Sequence, residues 1–179
     1  MLQFYSENDP NFGYLSNLFC KKHMKQFNLE IDGKKWNSVE HYFQAQKFLG
    51  TDNTDYIEYA DLIQKASTPY IAKILASQKI TGGYTWRVKL NTIIQKYKEK
   101  GVSIRPDWDI IKNDVMLKAV YAKFQQNTTL KDKLILTGDD ILIEHTTRDS
   151  YWGDGGDGSG ENKLGNILMR VRAMLITNS

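Results

Sequence analysis

Glu40, Gln44 and Lys47 fall on one narrow stripe if residues 37–49 form a helix, because about 100° per residue brings the chain back to the same face every three or four positions. That stripe sets an acid beside an amine. A carboxyl among apolar side chains has its pKa raised toward neutrality and can serve as general acid or base. An amine in the same surroundings sheds its proton more readily and becomes a nucleophile. Val39, Tyr42, Phe43, Ala45, Phe48 and Leu49 take up most of the remaining circumference. A surface helix needs an apolar arc of only roughly 100°, so the polar stripe is expected to face a restricted opening rather than bulk water. A structural reading stands beside the chemical one. Asn37 or Ser38 can serve as N-cap; with Asn37 there, Glu40 suits the third position of a capping box, and Glu40–Gln44 and Gln44–Lys47 are ordinary neighbours on a solvated face.

Other carboxylates occur close to aromatic residues further along: Glu144, Asp149 and Asp154. Asp154 belongs to a glycine cluster, residues 153–160, just ahead of the last helical pattern. Gly153, Gly155 and Gly158 satisfy G-x-G-x-x-G literally, yet no buried strand precedes them and no acid can follow some 20 residues on, which rejects a dinucleotide fold. No Lys-Ser/Thr pair follows for a Walker A loop, and Gly156 and Gly158 stand where a calcium loop needs oxygen side chains. What survives is a glycine-rich loop at a helix start, able to present backbone N–H groups to a phosphate, or else a surface loop. His23, His41 and His145 lack metal-ligand spacing and no metal is expected; Cys20 has no paired motif and reads as an inert thiol.

The elements that must position these groups are mostly helical. Residues 2–5 and 141–146 read as strands, and 27–31 with 34–36 as a hairpin around Asp32-Gly33. Helices are expected over 55–66, from Pro69 to about residue 76, over 86–100, from Pro106 or Asp107 through Phe124, over 130–136 and from Leu164 to Leu175, with a break at Gly82-Gly83. Ile111, Val115, Ala119 and Ala122 mark the core seam of the fourth of these, while Trp108, Lys112 and Met116 form a second stripe on it. Arg170 and Arg172 lie off the seam of the last. A helix-dominated chain whose few short strands do not alternate with helices is α+β.

At 179 residues, 41% hydrophobic and 25% charged, the chain is expected to form one domain, residues 1–179, with a substantial core. A net charge of +3 permits an anionic ligand or a weak nucleic-acid contact and is too small for a dedicated duplex binder. One cysteine excludes an internal disulfide. No apolar run approaches the ~20 residues needed to cross a bilayer, and the first residues do not read as a signal peptide, so the expectation is a soluble cytoplasmic protein.

Several segments together resemble the NADAR family, also called YbiA-like or riboflavin-intermediate N-glycosidase family. They are Phe4-Tyr5-Ser6 with Leu15-Ser16-Asn17, then Ser38-Val39-Glu40-His41-Tyr42-Phe43-Gln44-Ala45-Gln46-Lys47-Phe48. Arg105-Pro106-Asp107-Trp108, Lys123-Phe124-Gln125-Gln126-Asn127, Leu142-Ile143-Glu144 and Tyr151-Trp152-Gly153-Asp154-Gly155 follow in order. Residues 78–103 exceed the shortest members and are expected to be an insertion. The resemblance implies a compact α+β domain, no cofactor, and cleavage of an N-glycosidic bond to an exocyclic amine. The sugar would be ribose 5-phosphate on a riboflavin-pathway aminopyrimidine or ADP-ribose on guanine of nucleic acid. It casts Glu40 as acid or base and Lys47 as Schiff-base former, with Asp149 or Asp154 as second carboxylate in a direct-water alternative. Trp108 and Trp152 become candidates to stack the base, and Asn17, Gln44, Gly153 and Gly155 to hold sugar and phosphate. The alternative function is a non-catalytic ADP-ribose or nucleotide-binding module.

Overall fold

The computed structural model describes residues 1–82 and 85–177; Gly83, half of the expected Gly82-Gly83 break, lies outside them. In chain order the elements are β1 (Leu2–Phe4), a 3-10 turn (Gly13–Leu15), β2 (Glu30–Ile31), β3 (Lys34–Lys35), α1 (Val39–Gln46) and α2 (Thr54–Gln64). They continue with α3 (Pro69–Ser77), α4 (Thr85–Glu99), α5 (Trp108–Gln125), α6 (Thr128–Leu136), β4 (Leu142–Glu144) and α7 (Lys163–Thr177). The fold is helix-dominated α+β. Two compact units divide it: Met1–Val39 with Asn113–Ser179, and Glu40–Lys112.

In the first unit, alternation in β1 sends Leu2 and Phe4 inward and Gln3 outward. β1 lies parallel to β4, with Leu2 opposite Leu142 and Phe4 opposite Glu144. α7 packs Leu164, Leu168, Val171 and Leu175 inward and touches both β4 and α6. Arg172 departs from expectation. It is buried, because its Nη1 donates to Thr137 Oγ1 at 2.7 Å and to the Asp140 carbonyl at 3.0 Å, which satisfies the charge below the surface. The hairpin forms around the turn as read, with strands shorter than the expected 27–31 and 34–36, and with Asp32 and Gly33 both left-handed at φ 55° and 71°, the geometry a two-residue turn of the right twist requires.

The seam of α5 is shifted from the expected one. Met116, Ala119, Val120 and Lys123 are buried at i, i+3, i+4 and i+7, while Ile111 and Val115 are only half-buried. Lys123 in an apolar seam misled the sequence pattern. Its amine donates to the Ser16 carbonyl at 2.9 Å between the rings of Phe19 and Phe124, and burial pushes its pKa down to about 7.

In the second unit, Asn53 caps α2 by accepting from the Asp55 N–H at 2.9 Å, and Thr68 caps α3 ahead of Pro69. α2 packs on α3, and α3 on α4; Tyr59, fully buried, donates its hydroxyl to the Leu75 carbonyl at 2.7 Å. The segment 78–103 consists of α4 and its flanks within this unit.

Candidate active site

Ser38 precedes α1, so Glu40 occupies the second helical position and not the third. Its carboxylate accepts from Gln44 Nε2 at 2.8 Å, one turn on, and not from the backbone at Asn37. The capping-box reading therefore falls away. Glu40 and Gln44 are 7% and 5% exposed, so the stripe is enclosed, as the wide apolar arc implied. Gln44 Oε1 is buried and has no hydrogen-bond partner among the described residues. His41, the next residue along, is an ordinary core histidine: Nε2 meets the Ala66 carbonyl at 3.0 Å and burial holds its pKa down.

The helix ends at Gln46, three residues short of the expected end, and Lys47 sits in the turn that follows. The Phe48 N–H bonds back to Ala45, tightening the last turn, and Gly50 adopts φ 98°. Arg105 fixes this turn from outside. Its N–H donates to the Lys47 carbonyl at 2.9 Å, its Nη1 to the Leu49 carbonyl at 2.9 Å, and its guanidinium leaves room at Gly50 for hydrogen only. Asp107 accepts from Arg105 Nε and Nη2 at 2.5 and 2.8 Å, and this pairing holds its own carboxyl below the usual range. The Arg105-Pro106-Asp107-Trp108 segment is thus a clamp on the end of α1 that also delivers an aromatic ring. Trp108 meets Phe43 edge-on at 4.9 Å, and the Lys47 amine lies 5.7 Å from the Trp108 ring centroid and 5.8 Å from that of Phe43.

Burial pushes the Lys47 amine below the ordinary lysine range; Glu40 pulls the other way, and the charge of Lys73 adds to the lowering. A cleft of about 490 Å³ in the same unit is lined by Leu49, Gly50, Tyr56, Arg105 and Asp107 among others, but not by Glu40, Gln44 or Lys47. The chemistry rests on the side chains, not on that cleft. Sequence reasoning had assigned no part to Phe43 and none to Arg105, although the Arg-Pro-Asp-Trp motif was the signal for the second.

The remaining candidates belong to the first unit. Asn17, 9% exposed, donates to Met116 Sδ at 3.3 Å and keeps Oδ1 buried without a partner among the described residues. Asp149 Oδ1 accepts the N–H groups of Tyr151 and Trp152, both at 2.9 Å, closing a turn that presents the half-buried Trp152. Asp154 is 6% exposed and heavily engaged: Oδ1 accepts from the Thr146 and Gly156 N–H groups at 3.0 and 2.9 Å, and Oδ2 pairs with His145 Nδ1 at 2.7 Å. Burial by itself would raise its pKa; the bonds from His145, Gly156 and Thr146 outweigh it and the net direction is down. His145 is a partner the sequence did not suggest.

The glycine cluster is an ordered cap. A Cβ on Gly153 would lie 2.6 Å from Thr146 Cγ2 and 2.7 Å from the Glu144 carbonyl, and Gly155 needs φ 74°. The N–H groups of Glu161, Asn162, Lys163 and Leu164 donate to the carbonyls of Ser150, Gly153, Tyr151 and Trp152. These bonds engage the N–H groups of residues 161–164, among those that a phosphate cradle at the start of α7 would draw on.

Fold and site together define an α+β protein with a buried acid–amide pair and, in the same unit, a depressed amine against two aromatic rings. It belongs to the NADAR family: the NADAR domain matches residues 3–176, a span that runs through both units. The chain is 34% identical over 175 residues to N-glycosidase YbiA of Escherichia coli (strain K12), covering 98% of this chain and 88% of that protein. It is 35% identical over 173 residues to Riboflavin biosynthesis protein VVA0006 of Vibrio vulnificus (strain YJ016), of which it spans 38%. The solved NMR structure of E. coli YbiA superposes with a TM-score of 0.71 at 34% identity, over 99% of this chain and 85% of that one. No helix among the described residues is long and apolar enough to cross a membrane.

Proposed function

We propose that this protein is an N-glycosidase that cleaves the bond between C1′ of a 5′-phosphorylated ribose and an exocyclic amine. The observation that carries the reading is Lys47: an amine with its pKa held down, against Phe43 and Trp108 and within electrostatic reach of the buried Glu40. A neutral amine is what attack on C1′ requires. In the proposed sequence Glu40 protonates the ring oxygen as the nitrogen lone pair opens the sugar to an iminium ion. Lys47 adds to C1′, and the substrate amine leaves once it has taken a proton, giving an imine between C1′ and Lys47. Water adds to that imine, and collapse of the carbinolamine returns the lysine and an open-chain sugar aldehyde. Glu40 passes the proton in each direction.

Asp154 supports this assignment by elimination, since both of its oxygens are committed to His145 and the loop backbone. Asp149 likewise organises its own turn. The names of the YbiA and Vibrio relatives support the bond type and the riboflavin-type substrate respectively. The test is incubation with a ribosylaminopyrimidine 5′-phosphate and, separately, with ADP-ribosylated guanosine in DNA, followed by mass spectrometry. Release of the free amine by the wild type and not by Glu40→Gln is the expected result. Tight binding of either compound with no release would make the protein a binding module instead.

A further inference from the structure

The net charge of +3 is unevenly spread: residues 69–98 contain Lys73, Lys79, Arg87, Lys89, Lys96 and Lys98 and no Asp or Glu, which leaves −3 on the rest of the chain. Within this basic stretch two large rings stand in the open. Tyr70 on α3 and Trp86 on α4 are 57% and 50% exposed, with ring centroids 6.5 Å apart and planes tilted by 45°, so they are neighbours without stacking on each other. The Arg87 guanidinium lies 5.6 Å from the Trp86 ring. Lys73 follows Tyr70, and Lys89 follows Trp86, by three positions on their helices; each exposed cation therefore shares a face with an exposed ring.

From this juxtaposition we propose that the α3–α4 face is a docking surface for single-stranded nucleic acid. Exposed rings beside cations are the elements of sequence-tolerant single-strand binding: bases stack on the rings while lysines and arginine meet successive phosphates. Two other occupants fit less well. A second copy of this chain would bring one basic stretch, residues 69–98, against another of the same sign. A membrane surface needs a continuous apolar helix face, yet α4 turns Ile94 and Tyr97 inward and exposes Trp86 and Val88 only in its first turn. The charge of Lys73 also reaches the Lys47 amine, so a phosphate neutralising Lys73 lies within electrostatic range of the candidate nucleophile.

The test is fluorescence anisotropy of a labelled deoxythymidine oligomer of about 12 nucleotides with the full chain at roughly 50 mM salt. Micromolar binding is expected, weakening about tenfold between 50 and 200 mM salt, as release of counterions from two or three phosphates dictates. Trp86→Ala and Tyr70→Ala should each weaken it by at least about fivefold, and Lys89→Glu should flatten the salt dependence. Circular dichroism of each variant checks that the helices persist. No binding at low salt, binding unaffected by Trp86→Ala in a folded variant, or tighter binding to a duplex or to anionic vesicles would overturn the proposal.

Discussion

Gln44 donates its amide N–H to the Glu40 carboxylate across 2.8 Å, and both side chains are buried. The bond fixes the acid seven positions before Lys47, while the other end of the amide, Oε1, has no partner among the described residues. A buried acceptor left unmade costs about 1–3 kcal/mol, which a substrate hydroxyl or amine bonding to it would offset. Gln44 is thus both an orienter of the acid and an acceptor in waiting.

Glu40→Gln should lower kcat by at least about 100-fold, the usual worth of a positioned proton donor, with the fold intact by circular dichroism. Gln44→Leu keeps the carboxylate and removes only its orienting donor and the acceptor. It should cost roughly tenfold in kcat and raise KM as well. Steady-state kinetics on both variants separates the two roles.

The depressed pKa of Lys47 sets the pH dependence. Below that pKa the amine is protonated and cannot attack, so the acidic limb of kcat/KM should fall with decreasing pH at a position below the ordinary lysine value of about 10.4. Lys47→Arg, charged at every accessible pH, should be inactive throughout.

Trp108 and Phe43 help keep water from the amine. Trp108→Ala admits water, and because desolvation is the first cause of the lowering, the acidic limb should move to higher pH. A pH–rate profile in which Trp108→Ala lowers the plateau and leaves the limb in place would confine the ring to substrate stacking.

Lys123 offers a stability test independent of catalysis. The unfolded chain holds this proton up to about pH 10.4 and the folded chain only up to about 7, so between these values the unfolded state binds more protons and stability rises with pH. Lys123→Met removes that contribution. Denaturation of wild type and variant from pH 7 to pH 9 should show a wild-type gain, on the order of a few kcal/mol, that the variant lacks.

Much of this was legible in the chain. The hairpin at Asp32-Gly33, the capped helices and the stripe on α1 follow from local rules, because turn dihedrals, caps and helical spacing are set by near neighbours. The end of α1 was not, since Arg105, 58 positions after Lys47, closes the turn there by bonding across the chain. The seam of α5 was misread for a similar reason: it includes Lys123, whose burial depends on the Ser16 carbonyl 107 positions earlier. The glycine cluster suggested a phosphate cradle by composition, and composition alone did not show that the N–H groups of residues 161–164 bond to the carbonyls of residues 150–153. Local patterns are readable in one dimension; the long-range bond that decides what a polar group is for is not.

Borohydride trapping tests the Schiff base most directly. Turnover of the ribosylated amine in sodium borohydride should leave a permanent sugar adduct, seen as a gain in intact mass and mapped by peptide analysis to Lys47. Full turnover with no adduct, or an adduct on a different lysine with Lys47→Ala still active, would contradict the assignment.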